Sequence, residues 1–308
     1  MAAAPIPLAE LFDPDFLASV QRLRISARRV ARGGRYAEQR SRDLGHGIEF
    51  RDYRPYAPGD DLRAVDWNIY RRLGRVFLRL FEELEDLPLY LLPDVSASLF
   101  LEQPPRAVAG LRCALALAAV SLGQHDRVGV FPFADDLRVL VQPRSGSRSL
   151  HALARELAGL EPGGSTDFAH SLRRLGGLKL REGLVCVVSD FFDPAGLERV
   201  TAALAGVRHH LLLVQLVRPG DREPDARGEL RLRDCETGES EDVSATAEVL
   251  ARYRAAYDRF QDGLLALARR RGAGLLRLDV EQPVVPQLAA LFEGGRYVPD
   301  AAHRSLVP

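Results

Sequence analysis

Hydrophobic positions follow two rhythms along the chain, and the change falls near residue 87. In residues 14–32, Phe16, Val20, Leu23, Ala27 and Val30 recur every three to four positions, with Arg22, Arg28, Arg29 and Arg32 on the other face. That period predicts an amphipathic helix. The Gly- and Arg-rich stretch 33–47 reads as a loop, and 48-IEFRDY-53 alternates as a short strand. In 57-APGD-60, Gly59 suits the positive φ of a type II turn. Asp60 or Asp61 is placed to cap a helix running through Leu62, Val65 and Ile69. In residues 75–94, Val76, Leu78 and Leu80 alternate with Phe77, Arg79 and Phe81, which predicts two strands joined by the acidic turn 82-EELED-86.

Beyond residue 87, short apolar runs alternate with longer helical patterns. Strands are expected at 88–93, 127–133, 137–141, 184–190, 209–217 and 274–279. Helices are expected at 104–123, 146–160, 167–178, 194–206, 246–271 and 284–293. Units of this kind make an α/β fold, a mostly parallel sheet with helices on both faces. Residues 229–243 read as a hairpin with Thr237-Gly238 at its turn. The organisation expected is a small N-terminal α+β region, residues 1–86, and an α/β domain, residues 87–308, with a hairpin insertion near 227–243. The strand at 75–82 is free to join the larger sheet, so the boundary is soft.

Composition narrows the function classes. Lys and Arg total 42, Asp and Glu total 42, and the formal net charge of the 308 residues is zero. Global charge gives no reason to expect a polyanion partner. Eight arginines lie between Arg22 and Arg42, but that stretch is partly an amphipathic helix and reads as a solvated face, so no nucleic-acid partner is expected. Lys179 is the only lysine, and no G-x-x-x-x-G-K-[ST] loop occurs, which argues against a P-loop ATPase. Cys113, Cys186 and Cys235 are far apart and form no C-x-x-C pair, so neither a zinc site nor a disulfide framework is supported. The N-terminus lacks the basic and apolar regions of a signal peptide, and no uninterrupted apolar run reaches about 18 residues. A cytoplasmic protein without a membrane span is the expectation.

The candidate chemistry lies at strand ends. Asp94 closes the first strand of the α/β region, and Ser96 and Ser98 follow at alternate positions. Asp190 closes another strand, and the glycine-rich 162-PGGSTDFAH-170 places Thr166 near a helix N-cap. Ligands in open α/β sheets bind beyond the carboxyl ends of the strands. If these strands are parallel neighbours, five side-chain oxygens reach one edge. Two carboxylates and three hydroxyls suit a hard divalent cation, Mg²⁺ with Mn²⁺ or Ca²⁺ as alternatives. Such a site leaves the cation electron-poor and ready for an outside carboxylate. The plainer reading of Asp94, Ser96 and Ser98 is a helix N-cap. His170, one turn into the helix after Thr166, is read as peripheral to this set.

The D-x-S-x-S after a strand, the later Thr and the strand-ending Asp resemble the metal-ion-dependent adhesion site of von Willebrand factor type A domains. The upstream run 51-RDYRPYAPGDDLRAVDW-67, followed by 77-FLRLFEELED-86, is similar to a bacterial and archaeal family of unknown function, number fifty-eight of its series. The resemblance spans roughly residues 40–220. It implies a von Willebrand factor A-like, Rossmann-like fold, with Asp94, Ser96, Ser98, Thr166 and Asp190 as the metal site. Leu99 stands where members usually carry Met. The two N-terminal transmembrane helices of many relatives have no counterpart here, which favours a soluble member. The resemblance also implies a partner, a MoxR-type AAA+ ATPase or its client, in chaperone-like assembly or maturation.

The cluster Arg51, Arg54, Tyr56, Asp60, Arg63, Asp66 and Trp67 has two readings. It is an ion-pair network holding the N-terminal region to the larger domain, or a docking surface rich in hot-spot residue types. The function expected is a non-enzymatic interaction module. The alternatives are a Mg²⁺-dependent hydrolase or phosphotransferase and a scaffold with a vestigial metal site. Haloacid-dehalogenase-type phosphatases need a second Asp two positions after the first, and here that position is Ser96. Neither G-x-S-x-G nor H-E-x-x-H occurs.

Overall fold

The structure is a computed structural model that describes residues 5–33, 48–56, 65, 67–83, 87–124, 126–143, 150–236 and 238–293. The chain divides into two compact units, residues 35–86 and the remainder, 1–34 with 87–308. The helical N-terminus therefore groups with the α/β unit and not with the strand segment that follows it. Helices α1 (Leu8–Leu11) and α2 (Pro14–Gly33) open the chain. Asp13 caps α2 by accepting the Phe16 N–H at 2.7 Å, and Pro14 occupies the first helical position, where a missing N–H does no harm. Phe16, Val20 and Leu23 are buried, as the helical period requires.

The 35–86 unit holds β1 (Ile48–Pro55), α3 (Trp67–Leu73) and β2 (Phe77–Glu83). The two strands pair antiparallel, with an irregularity between Phe50 and Asp52. So β2 completes a ribbon of its own unit and does not join the larger sheet. Of the helix expected through Leu62, Val65 and Ile69, α3 covers Ile69, and Leu62 lies outside the described residues.

In the larger unit, β3 (Leu89–Pro93), α4 (Arg106–Gly123), β4 (Val128–Val130), α5 (Leu150–Ala158), α6 (Phe168–Gly177), β5 (Leu184–Ser189), α7 (Leu197–Ala205) and β6 (His210–Val217) follow in turn. The hairpin β7 (Gly228–Arg233) and β8 (Ser240–Ala245), then α8 (Ala247–Arg271), β9 (Gly274–Asp279) and α9 (Val284–Glu293), complete it. Five strands form one parallel sheet in the order β4-β3-β5-β6-β9. The order reverses between β3 and β5.

The strand period of two divides the core. On one side Leu91, Cys186, Val188, Leu212, Val214 and Leu216 meet α2, α4, α5 and α9. On the other, Tyr90, Leu92, Val185, Val187, Leu211 and Leu213 meet α6, α7 and α8. Helix α4 is apolar around most of its circumference because it is enclosed on most sides. Gly110 lets it approach the sheet, since a Cβ there would lie 3.1 Å from Leu216 Cδ1. The expected strand 137–141 forms only isolated antiparallel bridges, Val141 with Val130 and Leu137 with Phe133. Pro132 has no N–H to give a ladder at this edge.

Candidate metal centre

The backbone of β3 carries Asp94 to the point where the strand order reverses. The Asp94 N–H extends the ladder to Val188 O at 2.8 Å, and Asp94 also bridges in parallel to Phe133. The chain then turns through a 3₁₀ helix, Ala97–Phe100. The turn is drawn against the glycine-rich loop by Gly163 N–H to Val95 O at 2.6 Å and Ala97 N–H to Gly164 O at 3.2 Å. Glycine is needed at 163, because a Cβ would lie 2.5 Å from Ala134 Cβ and 3.2 Å from Val95 O. The helix cap after this loop is Asp167, which accepts the His170 N–H at 2.8 Å; Thr166 stands one residue before it.

Asp94, Ser96, Thr166 and Asp190 are buried, and Ser98 is half-buried. Asp94 Oδ1 accepts the Ser96 N–H at 2.8 Å, and the Ser96 and Ser98 hydroxyl oxygens are 3.1 Å apart. Thr166 is brought to the same place through a shared acceptor. The Ser98 hydroxyl donates to Glu236 Oε1 at 3.0 Å, and the Thr166 N–H donates to Glu236 Oε2 at 3.3 Å. Asp190 follows β5 and accepts the Phe192 N–H at 3.1 Å. Between them Phe191 adopts φ +66°, a left-handed conformation that turns the chain sharply after Asp190. Such conformations at a bulky residue concentrate at functional sites.

Two residues of this constellation escaped the sequence reading. Ser189 donates to Asp94 Oδ2 at 2.6 Å and accepts the Phe191 N–H at 2.8 Å, so it ties the two aspartate loops together. Its signal was its place just before the strand-ending Asp. Glu236 comes from the β7–β8 turn, where only the neighbouring Thr-Gly pair stood out. His170 faces away from the set: its Nε2 lies 3.2 Å from Asp136, and half of its side chain is exposed.

Burial shapes the electrostatics. Desolvation pushes the Asp94 carboxyl up to about 6, against hydrogen bonds from Ser189 and Ser96 that lower it. Desolvation and then the Asp94 charge push Asp190 up to about 7. The guanidinium of Arg106 acts on Asp190 in the opposite sense, but it is already shared between Glu102, at 2.8 Å, and Asp221, at 2.5 Å. The two aspartates thus form a buried acidic pair beside hydroxyls, a donor set with the chemistry of a Mg²⁺ or Mn²⁺ site. Among the described residues, no three His, Cys, Asp or Glu side chains converge closely enough to hold a cation by themselves. A cation here would depend on Ser96, Ser98 and Thr166 as well as on the carboxylates. A groove of about 1030 Å³ lined by α6 and α7 residues, among them Arg173 and Arg199, contains none of the five.

Of the expected docking cluster, Trp67 is 58% exposed, with its ring edge-on to Tyr70 at 6.1 Å between centroids. Tyr56 is half-buried. Asp60, Arg63 and Asp66 lie outside the described residues, as do the side chains of Arg51 and Arg54.

A family model described as "Protein of unknown function DUF58" matches residues 52–262. This chain belongs to the DUF58 family. An uncharacterized protein from Mycobacterium tuberculosis is 26% identical over 306 residues, covering 96% of this chain and 94% of its own. Among solved structures, the conserved hypothetical protein BatB from Bacteroides thetaiotaomicron matches at 15% identity and a TM-score of 0.39, covering 68% of this chain and 98% of that one. An aerotolerance-related membrane protein from Bacteroides fragilis matches at 14% identity and a TM-score of 0.42, with the same coverage. The fold of this DUF58 chain is α/β, with the parallel five-stranded sheet described above.

The expected cytoplasmic location is corrected by these matches. One similar structure is described as a membrane protein, and another, from Vibrio fischeri, as a membrane spanning protein. Helix α4 is also long and apolar enough to cross a membrane by length and composition, with mean hydropathy 1.5 over 18 residues, although 78% of it is buried inside the fold.

Proposed function

We propose that this DUF58 protein is a non-enzymatic interaction module that grips a partner's Asp or Glu through a divalent cation. Asp94, Ser96, Ser98, Thr166 and Asp190 would hold the ion, Mg²⁺ first and Mn²⁺ or Ca²⁺ as alternatives. When bound, the cation supplies an electrophilic position for one more oxygen ligand. The observation that carries this reading is the buried pair Asp94 and Asp190, whose carboxyls are both raised while the cation acting on Asp190, Arg106, is held by Glu102 and Asp221. Burying two like charges is costly without a counter-charge, and a divalent ion supplies one. The partner that the family resemblance suggests is a MoxR-type AAA+ ATPase or its client. The exposed Trp67 and Tyr70 add an apolar anchor of the kind that protein partners use.

The reading is tested by calorimetric titration with Mg²⁺ and Mn²⁺, and by capture of the candidate ATPase with and without EDTA. Asp94→Ala should abolish both cation binding and cation-dependent capture while the circular dichroism spectrum is preserved. Capture that is indifferent to EDTA and to the substitution would remove the bridging role.

A further inference from the structure

We infer that Glu236 is an internal carboxylate ligand of this site, occupying the position that a partner's acidic side chain takes, so that the β7–β8 hairpin is a built-in competitor. This rests on the metal-site reading above and extends it to a residue and a segment outside the motif. Both Glu236 oxygens are engaged by members of the proposed ligand set, Oε1 by the Ser98 hydroxyl and Oε2 by the Thr166 N–H. Those two donors come from separate loops, so a single carboxylate spans the mouth of the site. A serine hydroxyl can lend a lone pair to a cation while donating its proton to a carboxylate, so this contact is compatible with a loaded site.

The turn presents this side chain deliberately. Asp234 Oδ1 accepts the Glu236 N–H at 2.7 Å, the Asp234 N–H donates to Glu239 O at 2.8 Å, and Gly238 closes the turn at φ +77°. Glu236 is half-buried, whereas the residues on either side of it that are described, Cys235 and Gly238, are exposed. The hairpin itself is lightly held. Among the described residues its strands pair only with each other, and along them only Leu230, Val243 and Ala245 are even half-buried. A strongly anchored carboxylate on a weakly anchored arm fits reversible occupancy.

The test uses the full chain loaded with Mn²⁺, whose bound waters are read by water-proton relaxation, with glutarate as the carboxylate probe. In the unmodified protein, relaxivity should be low and indifferent to glutarate. Glu236→Ala should admit an extra water, raise the relaxivity, and lose it again as glutarate is added. Mn²⁺ affinity should fall about tenfold or more with the ligand gone. Glu236→Gln keeps the size of the side chain and an acceptor oxygen but not the charge, and should behave like the alanine variant. If both variants bind Mn²⁺ with unchanged affinity and relaxivity and ignore glutarate, the internal-ligand inference is wrong while the metal site stands. If the unmodified protein binds no Mn²⁺, both readings fall.

Discussion

At the scale of single residues, the acidic pair makes a signed pH prediction. Burial pushes the Asp94 carboxyl up to about 6 and the Asp190 carboxyl up to about 7, against an ordinary 3.8. A raised carboxyl favours the folded state fully only below the unfolded value, and that contribution is lost as pH rises through the folded value. In EDTA, the melting temperature should therefore fall between about pH 4 and pH 7 and then level off. Asp190→Asn should flatten much of this slope and raise stability at pH 8. A stability curve that rises across the same window would show that the pair is not desolvated as described.

Phe191 sets two effects against each other. Its left-handed backbone costs about 1–2 kcal/mol, which glycine would relieve. Its ring is fully buried and stacked on Phe168 at 5.6 Å between centroids. Removing a buried phenylalanine side chain costs about 3–5 kcal/mol. Burial wins, so Phe191→Gly should destabilise the protein by about 2–3 kcal/mol in urea unfolding, and a stabilised variant would contradict the packing.

At the scale of elements, the loop crossing at Gly163 and the hairpin differ in how firmly they are held. Gly163→Ala must displace either the Ala134 methyl or the Val95 carbonyl, and neither can swing away. A cost of about 1–3 kcal/mol is expected, as for other overpacked sites. Because the shift separates the Thr166 loop from the Asp94 loop, cation affinity should fall with it in the same titration. The hairpin should behave in the opposite way. Replacing residues 228–245 by a short linker removes little buried surface, so the melting temperature should change by only a few degrees while the 210–217 and 274–279 strands keep their amide protection. Global unfolding on this deletion would mean that the hairpin is part of the core.

Most elements of the larger unit were legible because buried parallel strands and amphipathic helices leave different periods in the sequence. Where the reading failed, the cause was pairing. The alternation in 77–83 shows a strand but not its neighbour, and β2 proved to belong with β1. The 14–33 helix shows an apolar stripe but not the surface that covers it, which is the α4 side of the larger sheet. Residues 137–141 have a strand's composition, yet the edge they meet is interrupted by Pro132.

At the scale of the molecule, the sheet order β4-β3-β5-β6-β9 puts the carboxyl ends of β3 and β5 side by side where the order reverses. That adjacency brings Asp94 to Ser189 across 95 positions of chain. A bound divalent cation at a hundredfold excess over its dissociation constant should stabilise the fold by about 2.7 kcal/mol. Thermal shifts with Mg²⁺, absent in Asp94→Ala, would measure it.

The sequence by itself determined the strand-and-helix alternation, the α/β class and the polar residues placed at strand ends, because each is written in local periods and in residue types a few positions apart. Tertiary structure alone decided which strands are neighbours, that Ser189 binds Asp94, and that Glu236 reaches Ser98 from 138 positions away. Contacts of that kind depend on chain topology and on where an exposed hairpin comes to rest, and neither leaves a periodic trace in the order of the residues.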